Sequence, residues 1–176
     1  MEQVILVDEN DNEVGVMEKM AAHKEGLLHR AFSVLLFNSK GELLLQKRAD
    51  DKYHSAGLWT NTCCSHPIPG ETIESAAQRR LKQEMGIDLL PEFVFKFIYR
   101  TELNGGLTEH ELDYVLLGIY EGEPDANPDE VSDWKYVDLE SVRKELKSHP
   151  EKYTHWFKLI LEHPDFSKSM AQSTDL

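Results

Sequence analysis

Apolar runs separated by turn residues occupy much of the chain. This pattern predicts strands in seven segments, namely residues 4–8, 30–37, 42–49, 59–64, 93–103, 107–120 and 134–137. Asn10–Asn12 and the NSKG segment at 38–41 provide turns, and Gly105-Gly106 joins the fifth and sixth strands into a long hairpin. The segment at 59–64 is expected to be extended but irregular.

Residues 72–85 show the strongest helical periodicity. An apolar stripe at i, i+4 spacing consists of Ile73, Ala77, Leu81 and Met85. Pro69 and Gly70 mark the entry of this helix, and Gly86 supplies its stop. Two further helices are predicted over residues 138–148 and 150–162.

The order of these elements predicts an α/β or α+β fold, in which helices pack on the faces of a mixed sheet. A chain of 176 residues is long enough for one domain with a substantial core, but short for two. We expect residues 1–176 to form a single domain with its core between about 4 and 162. Residues 164–176 have no pattern and are expected to form a flexible tail.

Composition and charge narrow the possible functions. The formal net charge of −13 argues against nucleic acid, which requires a basic surface, although a few clustered cations could still bind a small anion. No apolar run approaches the length needed to span a bilayer, and residues 1–10 lack the layout of a signal peptide. The sequence therefore indicates a cytoplasmic protein with neither a nucleic acid nor a membrane partner.

The two cysteines, Cys63 and Cys64, are neighbours in the sequence. Adjacent residues of an extended strand point to opposite faces, so a disulfide between them is not expected. If the segment stays extended, Cys64 shares a face with His66, whereas Cys63 faces the core. A small buried apolar residue is the default interpretation of an intracellular cysteine, and the position beside His66 favours a functional thiol instead.

Glu109 and Glu111 form the strongest local signal for chemistry. Side chains at i and i+2 of a strand leave the same face, about 7 Å apart at their Cα atoms. Two buried carboxylates at this spacing require a cation or a proton between them. An exposed acidic edge strand is the alternative, but the apolar run at 114–120 favours a buried strand.

Three histidines are candidates to join these carboxylates: His23, His29 and His66. Imidazole and carboxylate ligands together suit an octahedral divalent ion such as Mn²⁺, Fe²⁺ or Zn²⁺. The spacing matches neither a zinc finger nor an HExxH helix, so the site must assemble from distant segments. The remaining histidines are predicted to be structural or solvated, namely His54, His110, His149, His155 and His163.

Four cations from separate segments could converge on one diphosphate: Lys19, Arg48, Lys52 and Arg80. Ordinary surface charge is the alternative interpretation. The sequence contains no glycine-rich phosphate loop, which argues against a P-loop nucleotide enzyme.

From about residue 4 to about residue 162, the chain resembles the type I isopentenyl-diphosphate delta-isomerases, which share the fold of the Nudix superfamily. The matching stretches are MEKMAAH (17–23), LLHRAFSVLLFN (27–38), LLLQKRADDK (43–52), GLWTNTCCSHP (57–67), GETIESAAQRRLKQEMGI (70–87), YRTEL (99–103) and EHELDYVL (109–116). The TNTCCSHP block followed by EHE in this order is highly specific.

The resemblance implies an enzyme that interconverts isopentenyl and dimethylallyl diphosphate in isoprenoid biosynthesis. The reaction would be a 1,3-proton shift through a tertiary carbocation. Cys64 and Glu111 would handle the protons, and Tyr99 would support the acid side. The ligands implied for a first divalent metal (Mn²⁺, Zn²⁺ or Mg²⁺) are His23, His29, His66, Glu109 and Glu111.

The resemblance also implies roles in binding the substrate. Lys19, Arg48, Lys52 and Ser65 fall where the family contacts its prenyl diphosphate, and Arg80 is placed to join them. Glu84 matches the ligand of a second ion, a Mg²⁺ that arrives with the diphosphate. Trp156 matches the aromatic residue that caps the hydrocarbon end.

The helix at 72–85 departs from the pattern of a Nudix hydrolase. Ser65 stands at the leading Gly position, Glu71 and Arg79 match the pattern, Arg80 replaces a Glu, and Gln83-Glu84 replaces a pair of Glu residues. Because two of the magnesium-binding carboxylates of a hydrolase are missing, isomerisation is favoured over hydrolysis. The alternatives are a Nudix hydrolase of a nucleoside diphosphate derivative and a non-catalytic module that binds metal or prenyl diphosphate.

Overall fold

A computed structural model describes residues 2–173 of the chain. Within these residues, nine strands form one sheet: β1 (Gln3–Val7), β2 (Glu13–Glu18), β3 (His29–Phe37), β4 (Glu42–Arg48), β5 (Trp59–Thr60), β6 (Cys63–Ser65), β7 (Glu92–Glu102), β8 (Thr108–Ile119) and β9 (Val131–Asp138). The same residues contain the helices α1 (Lys19–Glu25), α2 (Ile73–Met85), α3 (Leu139–Ser148), α4 (His155–Glu162) and α5 (Pro164–Ser173). Short 3₁₀ turns cover Asn104–Gly106 and Pro150–Lys152.

Strand β3 organises the sheet. It pairs in parallel with β8 along its whole length, from His29 opposite Glu111 to Phe37 opposite Ile119. Its other edge pairs antiparallel with β6, where Ser33 lies opposite Cys64. Strands β6 and β8 therefore flank β3 on opposite sides, and β7 extends the sheet beyond β8. Strand β4 continues it through β5 and β9.

The central strands are buried on both faces, which explains their nearly continuous apolar sequences. On one face, Phe32, Val34 and Leu36 of β3 pack with the buried stripe of α2. On the other face, Leu35 and Phe37 pack with residues of α4 and α5. Val115 of β8 belongs to the second cluster, and Leu116 belongs to the first. Because side chains alternate, Glu109, Glu111 and Asp113 share the face of Val115, towards α4.

The predicted helix over 72–85 is confirmed as α2. Thr72 caps its first turn by accepting a hydrogen bond from the backbone N–H of Ser75 (3.2 Å), and Gly86 ends it with φ +66°. A side chain at Gly86 would place its Cβ 2.6 Å from the carbonyl oxygen of Asp125, so glycine is required there. The predicted mixed sheet with helices on its faces is also confirmed.

The sequence pattern left two elements unpredicted. Strand β2 alternates weakly because it is an edge strand with largely exposed side chains. Helix α1 has only seven residues, too few for a clear periodicity. Its caps are nevertheless well formed: the Glu18 carboxylate accepts hydrogen bonds from the Met20 and Ala21 N–H groups, and Gly26 ends the helix at φ +68°.

The single helix predicted over 150–162 is wrong. Pro150–Lys152 form a 3₁₀ turn, Tyr153 and Thr154 are extended, and α4 starts at His155. The interruption has a physical cause, because the Thr154 N–H donates to the carbonyl of Trp59 (3.0 Å) and the Thr154 hydroxyl bonds that of Thr60 (2.7 Å). The break places Trp156 in the first turn of α4, facing the sheet.

The expected flexible tail over 164–176 is also wrong for most of its length. Residues 164–173 form α5, and Phe166 is completely buried in the same apolar cluster as Phe157 and Leu161. The final residues, 174–176, lie outside the described residues. No helix among residues 2–173 is long and apolar enough to cross a bilayer.

Candidate active site

Many of the polar residues singled out from the sequence converge on one pocket above β3. Its lining includes Arg48, Tyr53, His54, Cys64, Ser65, His66, Tyr99, Glu109, Glu111, Asp113 and Trp156. His23 and His29 lie directly behind this lining and are completely buried.

The two buried histidines, His23 and His29, use Nδ1 in hydrogen bonds to the backbone and leave Nε2 for another partner. The Nδ1–H of His23 donates to the carbonyl of Lys19 (2.7 Å), and that of His29 donates to the carbonyl of Leu27 (2.9 Å). Burial lowers the pKa of His23 to about 4, so this ring is neutral at pH 7 and its Nε2 carries a lone pair. Among the described residues, neither His23 nor His29 has a hydrogen-bond partner for its Nε2.

The two carboxylates of β8 complete this group. The Nε2 atoms of His66 and His29 lie 2.7 and 3.3 Å from Glu111 Oε2, and His23 Nε2 lies 4.0 Å from Glu109 Oε1. Burial opposes ionisation of Glu111, but its close contacts with His29 and His66 outweigh burial and hold its pKa well below the usual range. The same contact with Glu111 raises the pKa of His29 despite its burial.

Tyr99 connects the two carboxylates. Its phenol lies within hydrogen-bond distance of both Glu109 Oε2 (2.8 Å) and Glu111 Oε1. One O–H proton can be donated to only one of them at a time, so further positive charge is needed to hold both carboxylates ionised. Burial, followed by the charges of Glu109 and Glu111, raises the pKa of Tyr99 well above its usual value.

This donor set fits a divalent metal ion. The ligand atoms of His23, His29 and His66 lie within 4.8 Å of one another, and the buried Nε2 atoms of His23 and His29 lack hydrogen-bond partners. An ion among these nitrogens and the carboxylates of Glu109 and Glu111 would satisfy those nitrogens and offset the two negative charges. The histidines and carboxylates chosen from the sequence are thus brought together.

Cys64 reaches the pocket from the other side of β3. The neighbouring Cys63 is completely buried among the residues packed against α2, as expected from strand alternation, and both cysteines are free. Burial raises the pKa of the Cys64 thiol, which is therefore protonated at neutral pH. A protonated thiol in this pocket can give up a proton to a substrate, or regain one when it has acted as a base.

Trp156 and Arg48 form another part of the pocket wall. The indole Nε1–H of Trp156 donates to Asn61 Oδ1 (3.2 Å), which fixes the ring. The Arg48 guanidinium lies 5.4 Å from the centre of that ring, and its Nη2 donates to the carbonyl of His54 (3.2 Å). Ser65 lines the same pocket from the end of β6. The wall therefore joins an aromatic face to a fixed positive charge.

The remaining predicted cations do not line the pocket. Lys52 and Arg80 meet at Glu130, with the Arg80 Nη2 atom 3.6 Å from Glu130 Oε2. Lys19 instead pairs with Glu2 (2.5 Å) and lies over the ring of Tyr53. The charges of both Lys19 and Arg80 act on Glu2, because they help to lower the pKa of its carboxyl despite burial. No sequence pattern had marked Glu130 as the residue that joins Lys52 to Arg80.

Glu84 also lies outside the pocket lining, on the buried face of α2. Its carboxylate accepts hydrogen bonds from Arg80 (2.8 Å), Gln46 (3.2 Å) and the thiol of Cys63 (3.0 Å). The Arg80 side chain thus offsets the charge of the carboxylate four residues later. The structure does not bring Glu84 together with the histidine cluster.

Two further residues of the pocket had no predicted role. Asp113 continues the row of Glu109 and Glu111 on the same strand face, and its Oδ2 accepts a hydrogen bond from the Ser33 hydroxyl (2.8 Å). The i+2 spacing of Asp113 from Glu111 could have identified it as a candidate site residue. His54, predicted to be structural or solvated, is buried with its Nε2 3.0 Å from Glu109 Oε1. The burial of His54 and its contact with Glu109 follow from the path of the loop after β4, which no periodic pattern in the sequence reveals.

Comparison with known proteins agrees with this geometry. Residues 27–157 match the model of the NUDIX domain, and solved structures share the fold. The MutT protein of Methanosarcina mazei has a TM-score of 0.63 at 20% identity, covering 85% of this chain and 96% of that one. The MutT NUDIX hydrolase of Burkholderia pseudomallei has a TM-score of 0.60 at 24% identity, covering 78% and 98%. The protein is therefore a Nudix-fold protein.

Closer relatives define the family within that fold. Isopentenyl-diphosphate Delta-isomerase 2 of Aromatoleum aromaticum is 52% identical over 161 residues, covering 92% of this chain and 85% of the relative. Isopentenyl-diphosphate Delta-isomerase of Pectobacterium atrosepticum is 50% identical over 165 residues, covering 93% and 92%. The chain belongs to the isopentenyl-diphosphate Delta-isomerase family.

Proposed function

We propose that this protein interconverts isopentenyl diphosphate and dimethylallyl diphosphate by a 1,3-proton shift. The observation that carries the proposal is the placement of Cys64 and Glu111 in one pocket, on the strands that flank β3 from opposite sides. Two groups on opposite sides of an alkene can carry out an allylic proton shift, with one adding a proton to one carbon and the other removing a proton from another carbon.

The proton balance follows from this pair. One group donates a proton to the terminal carbon of the alkene, which leaves a tertiary carbocation at C3. The other group removes a proton from C2, and the C–H electron pair becomes the new double bond. After one turnover the donor has lost a proton and the acceptor has gained one, so both must exchange with solvent before the next reaction. Glu111 with Tyr99 acts on one side, and Cys64 acts on the other.

The walls of the pocket are suited to the cation. The face of Trp156 can stabilise a carbocation through its π electrons, as aromatic rings do for other cations. Burial of Trp156 and Tyr99 also keeps water away from the cation that it would otherwise quench. We infer that Trp156 lies against the hydrocarbon end of the substrate.

The residues that would hold a divalent ion are His23, His29, His66, Glu109 and Glu111, and Mn²⁺, Zn²⁺ and Mg²⁺ are the candidates. When bound, the ion supplies the positive charge that allows Glu109 and Glu111 to stay ionised side by side in a dry site. The protein's own histidines orient Glu111, since His29 and His66 both contact its Oε2 atom.

The diphosphate would be bound by the cations around the pocket. Arg48 lies inside it, and we propose that Lys19, Lys52, Ser65 and Arg80 contact the phosphates. In this proposal the diphosphate displaces Glu130 from Lys52 and Arg80, and a Mg²⁺ that arrives with it is bound by Glu84. Binding at the charged end then positions the alkene between the two proton-handling groups. We further propose that the chain acts as a single domain in the cytoplasm.

An assay of the purified protein with isopentenyl diphosphate tests this proposal. We expect the allylic isomer to accumulate without release of inorganic phosphate, and activity to disappear with a strong chelator and return with a divalent metal. Phosphate release in place of the isomer would instead identify a hydrolase. Metal-dependent substrate binding without either product would identify a binding module.

A further inference from the structure

His54 makes a contact that none of the proposed catalytic roles requires. Its Nε2 atom lies 3.0 Å from Glu109 Oε1, and its ring is stacked on that of His23 with centroids 5.7 Å apart. The ring also meets Trp156 edge-on at 5.9 Å and Tyr53 at 4.3 Å. A surface histidine would have none of these contacts, so the ring is held in one orientation.

The other nitrogen of His54 determines which atom carries the proton. Nδ1 lies 3.1 Å from the hydroxyl of Ser55, a group that can donate as well as accept. With Ser55 donating to Nδ1, the ring hydrogen lies on Nε2, next to Glu109 Oε1. The reverse arrangement would point a nitrogen lone pair at a carboxylate oxygen, which is unfavourable. Ser55 itself adopts φ +50°, a backbone conformation uncommon for a residue with a side chain.

Glu109 is then held by a donor at each oxygen. His54 Nε2 lies 3.0 Å from Oε1, and the phenol of Tyr99 lies 2.8 Å from Oε2. A carboxylate oxygen has two lone pairs, so each oxygen keeps one for a metal ion after accepting a hydrogen bond. Hydrogen bonds of this kind to metal ligands orient them and often account for 10- to 100-fold in metal affinity.

We propose that His54 is a positioning residue of the metal site, which fixes Glu109 by donating a hydrogen bond from Nε2. This inference rests on the metal-binding part of the proposed function. The same residue also connects the metal ligands to the substrate wall, because its backbone carbonyl accepts the Arg48 hydrogen bond and its ring contacts Trp156. His54 therefore contacts a proposed metal ligand, Glu109, and also Arg48 and Trp156 of the pocket wall.

Cobalt binding to the metal-free protein tests the proposal without measuring activity. Co²⁺ is added in steps, and its visible absorption bands report both the affinity and the ligand set. For His54→Ala we expect an affinity about 10- to 100-fold weaker than that of the wild type. His54→Gln places an amide N–H at a similar reach, so we expect it to keep affinity within a few-fold and to leave the spectrum unchanged. His149→Ala, an exposed histidine, is the matched control and should behave like the wild type.

Each contrary result has a distinct meaning. If His54→Ala binds cobalt as tightly as the wild type, the positioning role is refuted. If His54→Gln loses affinity as severely as His54→Ala and its absorption bands shift, His54 is itself a ligand and the proposal is again overturned. Wild-type protein that takes up no cobalt would refute the metal site and this inference together, whereas cobalt uptake without isomerase activity would refute only the proposed reaction. If His54→Ala fails to fold, the comparison of His54→Gln with the wild type still decides.

Discussion

Tyr99 and Glu111 are direct partners across the β7–β8 ladder, and the phenol of one meets the carboxylate of the other at hydrogen-bond distance. The same phenol also reaches Glu109, two residues away on the same strand face. Opposed positions on antiparallel strands are rigidly spaced, so this contact does not depend on a mobile loop. The two groups of the proposed acid side, the Tyr99 phenol and the Glu111 carboxylate, are therefore positioned by paired strands of the sheet.

The first prediction concerns this phenol. Tyr99→Phe removes the only proton that the residue can share with Glu109 and Glu111, while the ring continues to fill the pocket wall. We expect kcat to fall by about 100-fold, at the lower end of the range for assisted proton transfer, with little change in KM. Steady-state kinetics measure both. Tyr120 donates its hydroxyl hydrogen to the Glu123 carbonyl (3.2 Å), away from the pocket, so Tyr120→Phe should retain normal kcat. Equal effects in both variants would contradict the assigned role.

The second prediction concerns the ionisation of Cys64. Burial raises the pKa of this thiol, so little of the reactive thiolate exists at pH 8. In a Cys63→Ala background, the alkylation rate with iodoacetamide should keep rising roughly tenfold per pH unit beyond pH 9, where an ordinary cysteine levels off. Mass spectrometry of the modified protein follows the rate. A plateau below pH 8 would show that the thiol is instead activated.

Asp113 provides a prediction about stability. Burial and the charge of Glu111 raise its pKa well above 3.8, so the folded state binds the proton more tightly than the unfolded chain. Stability is then lost as the pH rises above the unfolded pKa, because the carboxyl of the unfolded chain ionises freely in water while the buried native carboxyl keeps its proton. Asp113→Asn should make the metal-free protein more stable than the wild type at pH 7.5 but not at pH 4. Urea unfolding at the two pH values measures the difference, and a larger gain at pH 4 would contradict it.

Substrate affinity provides a fourth prediction. Lys52→Ala removes a cation held beside Arg80 by Glu130, and we expect KM for isopentenyl diphosphate to rise by about tenfold or more with a small effect on kcat. Lys40→Ala, in the turn between β3 and β4, is the control for lost surface charge. If both variants raise KM equally, Lys52 has no specific part in diphosphate binding.

The sequence predicted which side chains share a strand face better than it predicted which strands and loops lie next to one another. Alternation along β8 correctly placed Glu109 and Glu111 on one face, and alternation along β6 correctly separated Cys63 from Cys64. These predictions hold because the direction of a strand side chain depends only on local geometry. The register that sets His29 opposite Glu111 comes from long-range pairing, and no local pattern contains it.

The errors were made where tertiary contacts override local preference. Residues 150–162 are helical in pattern, but the backbone bond from Thr154 to Trp59 interrupts the helix. Phe166 looks isolated in the sequence, yet it is buried because α5 packs beside α4 and β7. His54 lies in the loop after β4, and its contacts with Glu109 and Trp156 join segments far apart in the sequence.

Solvent-deuterium incorporation tests the central claim, that Cys64 and Glu111 carry the two protons, most directly. In D₂O, the wild-type protein should convert isopentenyl diphosphate into dimethylallyl diphosphate that carries deuterium in a methyl group, as detected by NMR. Cys64→Ser and Glu111→Gln should each fold, as judged by circular dichroism, and form product at least about 1,000-fold more slowly. Near-normal product formation by either variant, or wild-type product without deuterium after many turnovers, would contradict the account.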